Sequence, residues 1–387
     1  MNDLTFTQAS AILNEIHAQA TGSKPQAVLD ESSFVSVAQQ TLKVGYDPII
    51  NAISQVLGRT IFSIRPYSRK FKGMEVTNQQ FGAITRKLNI ADSDFEDSSR
   101  YALTDGEAVD MYKVKKPNVL QMNYYGQNTY AKHITLFRDQ LDCAFSSSAE
   151  FSQFVSMVMS NASDMIEQIH ENTARATLGN LIAGKTLADP TSVIHLLTEY
   201  NEVTGLALTT TTMMLPENFK PFMQWVFARI AMLSASMTER SQLYHVNVTG
   251  KELNRHTPYK NQKIFMFAPY QFGVESLVLA NTYHDSYLTK AYNETVNFWQ
   301  SITTPNVIDV KPVYLTADGT LTTGDETRVA NIFGVIMDEE AAGYTVMHQW
   351  SAPTPFNAAG GYSNIFWHFD ERYWNDFTEN AIVLLLN

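Results

Sequence analysis

Histidine next to carboxylates is the first residue pattern in this sequence that could do chemistry. His170 and Glu171 could open a His-Glu-x-x-His zinc motif, but position 174 is alanine, so the second histidine is missing. Residues 368–371 read His-Phe-Asp-Glu, and imidazole together with carboxylates can bind a metal. Because aromatic residues surround this segment, a structural histidine is the preferred interpretation of His368.

The other patterns that could support catalysis are incomplete. The sequence has neither a glycine-rich phosphate loop nor a Gly-x-Ser-x-Gly nucleophile elbow. The only cysteine, Cys143, lies in the segment Leu-Asp-Cys-Ala-Phe at 141–145 and is interpreted as a small buried side chain. His284 precedes an aspartate near a helix end, where a cap or salt bridge explains it, and His245 and His256 have no identifiable partner. We therefore predict no catalytic, cofactor-binding or metal-binding residue, and no enzyme.

Composition excludes several classes of protein. Of 387 residues, 44% are hydrophobic and 17% charged, so the chain can bury a large core and is not disordered. The formal net charge of −11 argues against coating nucleic acid, and no apolar run approaches the roughly 20 residues that cross a bilayer. Aromatic residues make up 12%, which fits either a large aromatic core or a surface covered by neighbouring subunits.

The strongest local signal is a long helix over residues 147–184. Ser147 and Glu150 have the spacing of a capping box, and Phe151, Phe154 and Val155 begin one apolar face. Gly184 is the predicted terminator. A helix of this length would extend about 54 Å and would form a spine across an elongated subunit.

Residues 63–125 predict an extended two-stranded excursion with its tip in an acidic stretch. The block has few core residues and is too long for an ordinary loop, although a solvated mobile loop is the alternative. Opposite charges on one projecting element favour pairing with neighbouring subunits. The candidate contact residues are Arg65, Arg69, Lys70, Lys72, Asp92, Asp94, Glu96, Asp97, Lys113, Lys115 and Lys116.

The remaining elements indicate an α+β protein. Residues 1–62 predict an arm with local helices, the first broken by residues 21–25, and further helices are predicted over 216–237 and 272–288. Strands are predicted over 263–268, 307–310, 329–337, 365–369 and 382–386. The aromatic cluster between Trp350 and Phe377 is interpreted as core or subunit-interface packing.

Residues 132–154 carry a resemblance to a known family. A strand-like segment and an Ala-Phe step at 144–145 lead into Glu-Phe-x-x-Phe at 150–154, the start of the long helix. This segment resembles the corresponding sequence in the major head proteins of tailed phages with the Hong Kong 97-type fold, especially those of picovirus-like short-tailed phages. The ending is also similar: acidic residues at 338–340, an aromatic stretch, then Asn-Ala-Ile-Val at 380–383.

The resemblance implies a division of the chain and a set of partners. It implies an N-terminal arm over 1–62, an extended loop over 63–125, a peripheral domain over 126–239 with the spine helix, an axial domain over 240–345, and a return to the peripheral domain over 346–387. The implied partners are copies of the chain as pentamers and hexamers, a portal, and packaged double-stranded DNA bound without sequence specificity. Because the arm is too short to hold a scaffolding region, a separate scaffolding protein, or none, is expected.

The implied location is the virion capsid, assembled in the bacterial host cytoplasm, without a membrane partner or cofactor. No lysine–asparagine cross-link is predicted. Two alternatives remain open at this point. One is an encapsulin-type nanocompartment shell with the same fold, and the other is a cytosolic enzyme that uses the aromatic, histidine-rich C-terminal region. Small compact particles with a deep pocket would favour the enzyme.

Overall fold

The computed structural model describes residues 5–24, 26, 28–59, 69–76, 85–92, 103–112, 114–270 and 292–387. For residues 57–59, 159–163, 292–293 and 348 it describes the backbone alone. The predicted helix over 272–288 lies outside the described residues.

Three helices form most of the N-terminal segment. They are α1 (Phe6–Thr21), α2 (Glu31–Leu42) and α3 (Tyr46–Arg59). Thr5 and Gln8 form a capping box at the start of α1, and Gly22, with φ of 68°, ends the helix as predicted.

A short helix, α4 (Arg138–Ala144), leads into the spine helix α5 (Ser148–Ala188). The 41 residues of α5 are unbroken and extend about 60 Å, which confirms the predicted long helix. The Ser147 hydroxyl caps it by accepting from the Glu150 N–H at 3.2 Å.

Two details of this region correct the predictions. Gly184 does not terminate α5, which continues to Ala188. A Cβ atom at position 184 would lie 2.5 Å from Phe377 Cζ, so this glycine permits close packing inside the helix. Cys143 is exposed and not buried, because α4 turns Leu141 and Ala144 toward the core and Cys143 toward the outside.

The N-terminal half of α5 packs on the three N-terminal helices. Phe151 of α5 contacts Phe34 of α2 edge-on, with ring centroids 5.7 Å apart. Leu13 of α1 and Ile53 of α3 are buried in the same cluster. The segment predicted as an arm is thus, over residues 5–59, a helical layer on its own chain, since its apolar faces are long enough to pack there.

The C-terminal half of α5 covers one face of a five-stranded sheet. In spatial order its strands are β4 (Val193–His195), β14 (Ala381–Leu385), β11 (Ile332–Asp338), β5 (Gln262–Phe267) and β6 (Tyr292–Val296). The central strands β14, β11 and β5 are antiparallel, whereas β4 and β6 pair in parallel at the edges. Two helices, α6 (Leu196–Thr204) and α7 (Pro216–Ser236), cover the opposite face.

A second sheet has three long antiparallel strands. They are β12 (Ala342–Pro353), β13 (Tyr362–Asn375) and β3 (Gln127–Phe137), with β13 in the centre. Ile365 of β13 is buried in the core that the N-terminal helices share with α5. Because α5 supplies residues to the cores of both sheets, it ties the two parts of the molecule together.

Three antiparallel pairs complete the part of the fold that the structure describes. The projecting ribbon consists of β1 (Thr85–Ile90) and β2 (Val119–Tyr124), as predicted for an excursion with two strands. The smaller pairs are β7 (Val307–Val310) with β10 (Thr327–Ala330), and β8 (Val313–Leu315) with β9 (Leu321–Thr323). The single strand predicted over 329–337 is interrupted at Asn331, which has φ of 58°.

The five-stranded sheet draws on several of the predicted domain segments. β4, α6 and α7 lie in the segment 126–239, β5, β6 and β11 in 240–345, and β14 in 346–387. A boundary placed along the chain at residue 240 therefore separates helices from the sheet on which they pack. The domain boundaries remain predictions.

Candidate subunit-contact site

The ribbon has one face toward its own chain and one face away from it. Asn89 and Leu120, which are paired across the ribbon, are buried. Leu88 and Ile90 point the other way and are 61% and 68% exposed, as the alternation of a strand requires. Beyond the strands, every described residue from 103 to 119 is exposed. Within the described residues, no part of the same chain therefore covers residues 103–112 and 114–118 of the ribbon segment.

The candidate contact residues fall into three groups. Arg65, Asp94, Glu96, Asp97 and Lys113 lie outside the described residues. Lys72, Lys115 and Lys116 are exposed, the last two at the end of the ribbon segment that leads into β2. Arg69, Lys70 and Asp92 contact their own chain at the two ends of the ribbon.

Arg69 anchors the entry of the ribbon segment to α5. Its guanidinium donates to Glu167 of α5 at 2.8 Å and to Glu75, and it lies 5.9 Å from the centre of the Tyr344 ring. Burial opposes the charged form, but Tyr344 and the two glutamates raise the pKa of Arg69 overall. The adjacent backbone N–H of Lys70 donates to Glu171 of α5 at 3.0 Å. The positive charge of Arg69 is thus already paired within the subunit.

Asp92 anchors the end of β1 to the segment 240–255. Its carboxylate accepts from the backbone N–H and from the side-chain amide of Asn254, both at 2.8 Å, and it pairs with Arg240. The backbone N–H of Asn254 is the main reason why the pKa of Asp92 is lowered. Arg69, before β1, and Asp92, after it, therefore attach both ends of this part of the ribbon segment to the body.

The sequence prediction omits Lys87, a residue of the ribbon that forms several ion pairs. Its ammonium lies 2.9 Å from Asp376, 2.5 Å from Glu379 and 2.8 Å from Glu340. Arg255 also pairs with Glu379, at 2.9 Å. Alternation places Lys87 on the same side of the strand as Asn89, which is buried in the structure. The apolar residues Leu88 and Ile90 lie on the opposite, exposed side, so the sequence pattern gave no signal for Lys87. Its partners could not be found from local spacing, because they lie 253 to 292 positions away.

Burial and pairing act against each other in this cluster. Burial alone would lower the pKa of Lys87, but Asp376 and Glu379 raise it overall. Burial works against ionised Asp376, yet Lys87 lowers the pKa of this carboxyl. Burial raises the pKa of Glu379, although Lys87 and Arg255 oppose the shift. Lys87, Asp376 and Glu340 line a cleft of about 480 Å³ between the ribbon and the body.

The histidines that suggested chemistry have structural surroundings. His170 is buried on α5, and its Nδ1–H donates to Glu371, which also accepts from the Thr173 hydroxyl at 2.6 Å. Burial, with a contribution from Arg69, lowers the pKa of His170 to about 4, so the ring is neutral. Glu371 is buried on one face of β13, whereas His368 lies on the other. The side chains of residues 368–371 therefore do not point toward a common site that could bind a metal.

No group of histidine, cysteine, aspartate and glutamate side chains that could hold a metal occurs among the described residues. Within the same residues, no helix combines the length and the apolar character needed to cross a membrane.

Solved structures of phage proteins share this fold. One is the capsid structure of Staphylococcus phage Andhra, with a TM-score of 0.56 and 12% identity over 85% of this chain and 87% of that chain. Another comes from the structure of the head fiber and inner core protein gp22 of native bacteriophage P68, with a TM-score of 0.57 and 11% identity over 85% and 88%. No curated protein matches the sequence. The family model of the Phi29-like phage major capsid protein matches residues 9–385, and the chain therefore belongs to that family.

Proposed function

We propose that this chain assembles as pentamers and hexamers into the icosahedral head that encloses phage double-stranded DNA. Its family consists of major capsid proteins, which are structural proteins and not enzymes. The observation that carries the proposal is the exposed segment of the ribbon. Three large side chains of this segment are exposed: Val109 at 62%, Met111 at 80% and Tyr112 at 82%. Covering side chains of this size by a neighbouring subunit lowers the free energy of the assembly.

The proposal extends to the roles of the segments in a Hong Kong 97-type subunit of the kind found in picovirus-like short-tailed phages. Residues 63–125 would be the extended loop that lies over the adjacent subunit, and α5 the spine of the peripheral domain. The five-stranded sheet with α6 and α7 would form the core of the axial domain around the symmetry axes. Residues 1–62 would reach neighbours from the helical layer on α5.

The proposed partners follow from charge and from the chemistry of assembly. A formal net charge of −11 keeps packed DNA from adhering to the wall, so contact with DNA would be local and without sequence specificity. A portal and a separate scaffolding protein would complete the head in the bacterial cytoplasm. Family membership favours this function over the nanocompartment shell and over the cytosolic enzyme.

Electron microscopy of the expressed protein tests the proposal. The chain is produced alone and together with its neighbouring genes, and the products are imaged in negative stain. Shells or rings of subunits are the expected result. Small monodisperse particles from both preparations would overturn the proposal.

A matched variant replaces residues 103–112 with a short Gly-Ser linker. Because these residues are exposed on their own chain, the variant should keep the unfolding midpoint of the full-length chain. It should nevertheless fail to form shells. A variant that assembles as well as the full-length chain would show that the ribbon is not the principal contact.

A further inference from the structure

The strand β3 forms one edge of the three-stranded sheet, and only one of its two sides is paired. It follows β13 in continuous register from Gln127 to Phe137, without a bulge. Among the described residues, no strand pairs with the other side of β3. The unpaired side of a strand presents a row of backbone donors and acceptors with which another chain can pair.

Two hydrogen bonds at the ends of the pairing show which backbone groups lie at the free side. The Tyr373 N–H donates to the Gly126 C=O at 3.2 Å. At the other end, the Arg138 N–H donates to the Gly361 C=O at 2.9 Å. Hydrogen-bonded pairs recur at every second residue of an antiparallel ladder, so the even-numbered residues of β3 bond to β13 and the odd-numbered ones face the free side. We call the following the free-edge residues: Gln127, Thr129, Ala131, His133 and Thr135. All are exposed except the last, which is half-buried.

The other edges of the two larger sheets carry features that hinder the addition of a strand. The edge strand β12 has a bulge between Val346 and His348, and its Tyr344 already forms a bridge with Glu75. The edge strands β4 and β6 have only three and five residues. Bulges, prolines and short strands are the usual protection of a sheet edge, and residues 127–135 of β3 have none of them. This edge is therefore open to a further strand.

The side chains of β3 favour a second copy of this chain as the source of that strand. Residues 127–137 contain one lysine, Lys132, and neither aspartate nor glutamate. Copies of a chain with a net charge of −11 repel one another, so they approach most easily where carboxylates are absent. The family consists of capsid proteins, which assemble from copies of one chain. An edge strand that pairs with its own copy about a two-fold axis forms such a contact with one surface.

We propose that the β3 strands of two copies pair antiparallel about a two-fold axis at Ala131. The pairing joins the two three-stranded sheets into one continuous sheet that runs across both subunits. Its hydrogen bonds come from the backbone, so the contact depends on the free edge more than on individual side chains. The inference rests on the proposed function, because it requires copies of the chain to associate, and it names one surface through which they do so.

The register centred on Ala131 gives each free-edge residue a free-edge residue of the partner. The resulting pairs are Ala131 with Ala131, Thr129 with His133, and Gln127 with Thr135. On the other face of the strands, Lys132 lies opposite Tyr130, and a cation next to an aromatic ring is favourable. A register centred on Lys132 would instead place the two lysines opposite each other, and like charges at opposed positions destabilise a sheet. The lysine therefore favours the register centred on Ala131.

A proline at the centre of the free edge tests the pairing. The Ala131→Pro variant removes an N–H that points away from β13, so the bonds to β13 remain and the unfolding midpoint should stay close to that of the wild-type chain. Its association constant, measured by sedimentation velocity of the full-length chain, should fall by about tenfold or more, because both copies lose a central donor. The matched control Ala131→Ser keeps the N–H and should associate as the wild type does.

A disulfide identifies the partner strand and its register. In a Cys143→Ser background, oxidised Ala131→Cys chains should form a covalent dimer, because opposite Cα atoms in a hydrogen-bonded pair are about 5.5 Å apart, within reach of a disulfide. Gln127→Cys chains alone should form none, since the two cysteines would lie roughly 27 Å apart along the strands. A mixture of Gln127→Cys and Thr135→Cys chains should form one. This measurement decides the question even if Ala131→Pro does not fold.

The outcomes separate this inference from the proposed function. If the wild-type chain does not associate, the proposed function fails. If it associates and a folded Ala131→Pro variant associates equally well, the pairing of β3 alone is overturned. The pairing is also overturned if the wild type associates but Ala131→Cys chains form no covalent dimer, or if Gln127→Cys chains form one by themselves, because the partner or the register would then be different.

Discussion

The Lys87 ammonium lies 2.9 Å from the Asp376 carboxylate, although 289 positions separate the two residues in the chain. Lys87 belongs to the projecting ribbon, and Asp376 is buried at 1% exposure beyond the end of β13. This ion pair, together with Glu379 and Glu340, attaches the base of the ribbon to the body. The orientation of the element proposed to reach a neighbour is thus set inside the subunit.

Replacement of Lys87 by methionine should destabilise the fold. The change removes the main cation from a buried carboxylate, and we expect the free energy of unfolding to fall by about 2–4 kcal/mol. Urea denaturation at pH 7 measures this loss. The control Lys116→Met changes an exposed lysine and should stay within about 0.5 kcal/mol. Equal stability of the two variants would show that the pair contributes little.

The buried His170 should make stability depend on pH. Its folded pKa of about 4 lies below the ordinary histidine value of 6.5, so the unfolded chain binds the proton first as the pH falls. The stabilising contribution is present above pH 6.5 and is lost toward pH 4. Between pH 7 and pH 5 the histidine should account for about 2 kcal/mol of lost unfolding free energy.

The variant His170→Gln tests this contribution by urea denaturation at the two pH values. All other residues are the same in both proteins, so the comparison isolates position 170. A wild-type chain and a variant that lose the same amount of stability between pH 7 and pH 5 would contradict the prediction.

Two glycines of α5 should respond in opposite directions to alanine. At Gly184 the added methyl group would meet Phe377 at 2.5 Å, so Gly184→Ala should cost about 1–3 kcal/mol through overpacking. At Gly179 the nearest atom would be Ile308 Cγ2 at 3.6 Å, an ordinary contact. Gly179→Ala should therefore stabilise the helix by up to about 1 kcal/mol. Thermal unfolding of both variants checks the sign, and a loss of stability at both positions would refute the packing argument.

Asn331 should tolerate glycine but not valine. Its φ of 58° lies in the left-handed region, which glycine adopts freely and a β-branched residue does not. We expect Asn331→Gly to change stability by less than about 1 kcal/mol and Asn331→Val to cost about 1–3 kcal/mol. Unfolding curves of the two variants make the comparison, and similar values for both would show that the backbone relaxes at this position.

Local patterns in the sequence were sufficient to predict much of the secondary structure. The apolar spacing from Phe151 to Val158 and the hydroxyl of Ser147 specify the start of α5, because a helical face and a cap depend on residues within one or two turns. The same reasoning predicted α7, which begins at Pro216, and the strands β5 and β14. It also predicted a two-stranded excursion over residues 63–125, within which β1 and β2 pair.

Contacts between distant segments were decided only by the tertiary structure. Sequence spacing does not reveal that Gly184 packs on Phe377, and the usual role of glycine at a helix end predicted the wrong function for it. The same limit explains why Arg69 was predicted only as a subunit contact although it pairs with Glu167 of its own chain. Periodicity reports which side of an element is buried, whereas the partner of a buried charge depends on how the chain folds back. The sequence therefore determined the helices and strands of this capsid subunit, and contacts between segments far apart in the chain determined how the ribbon is held.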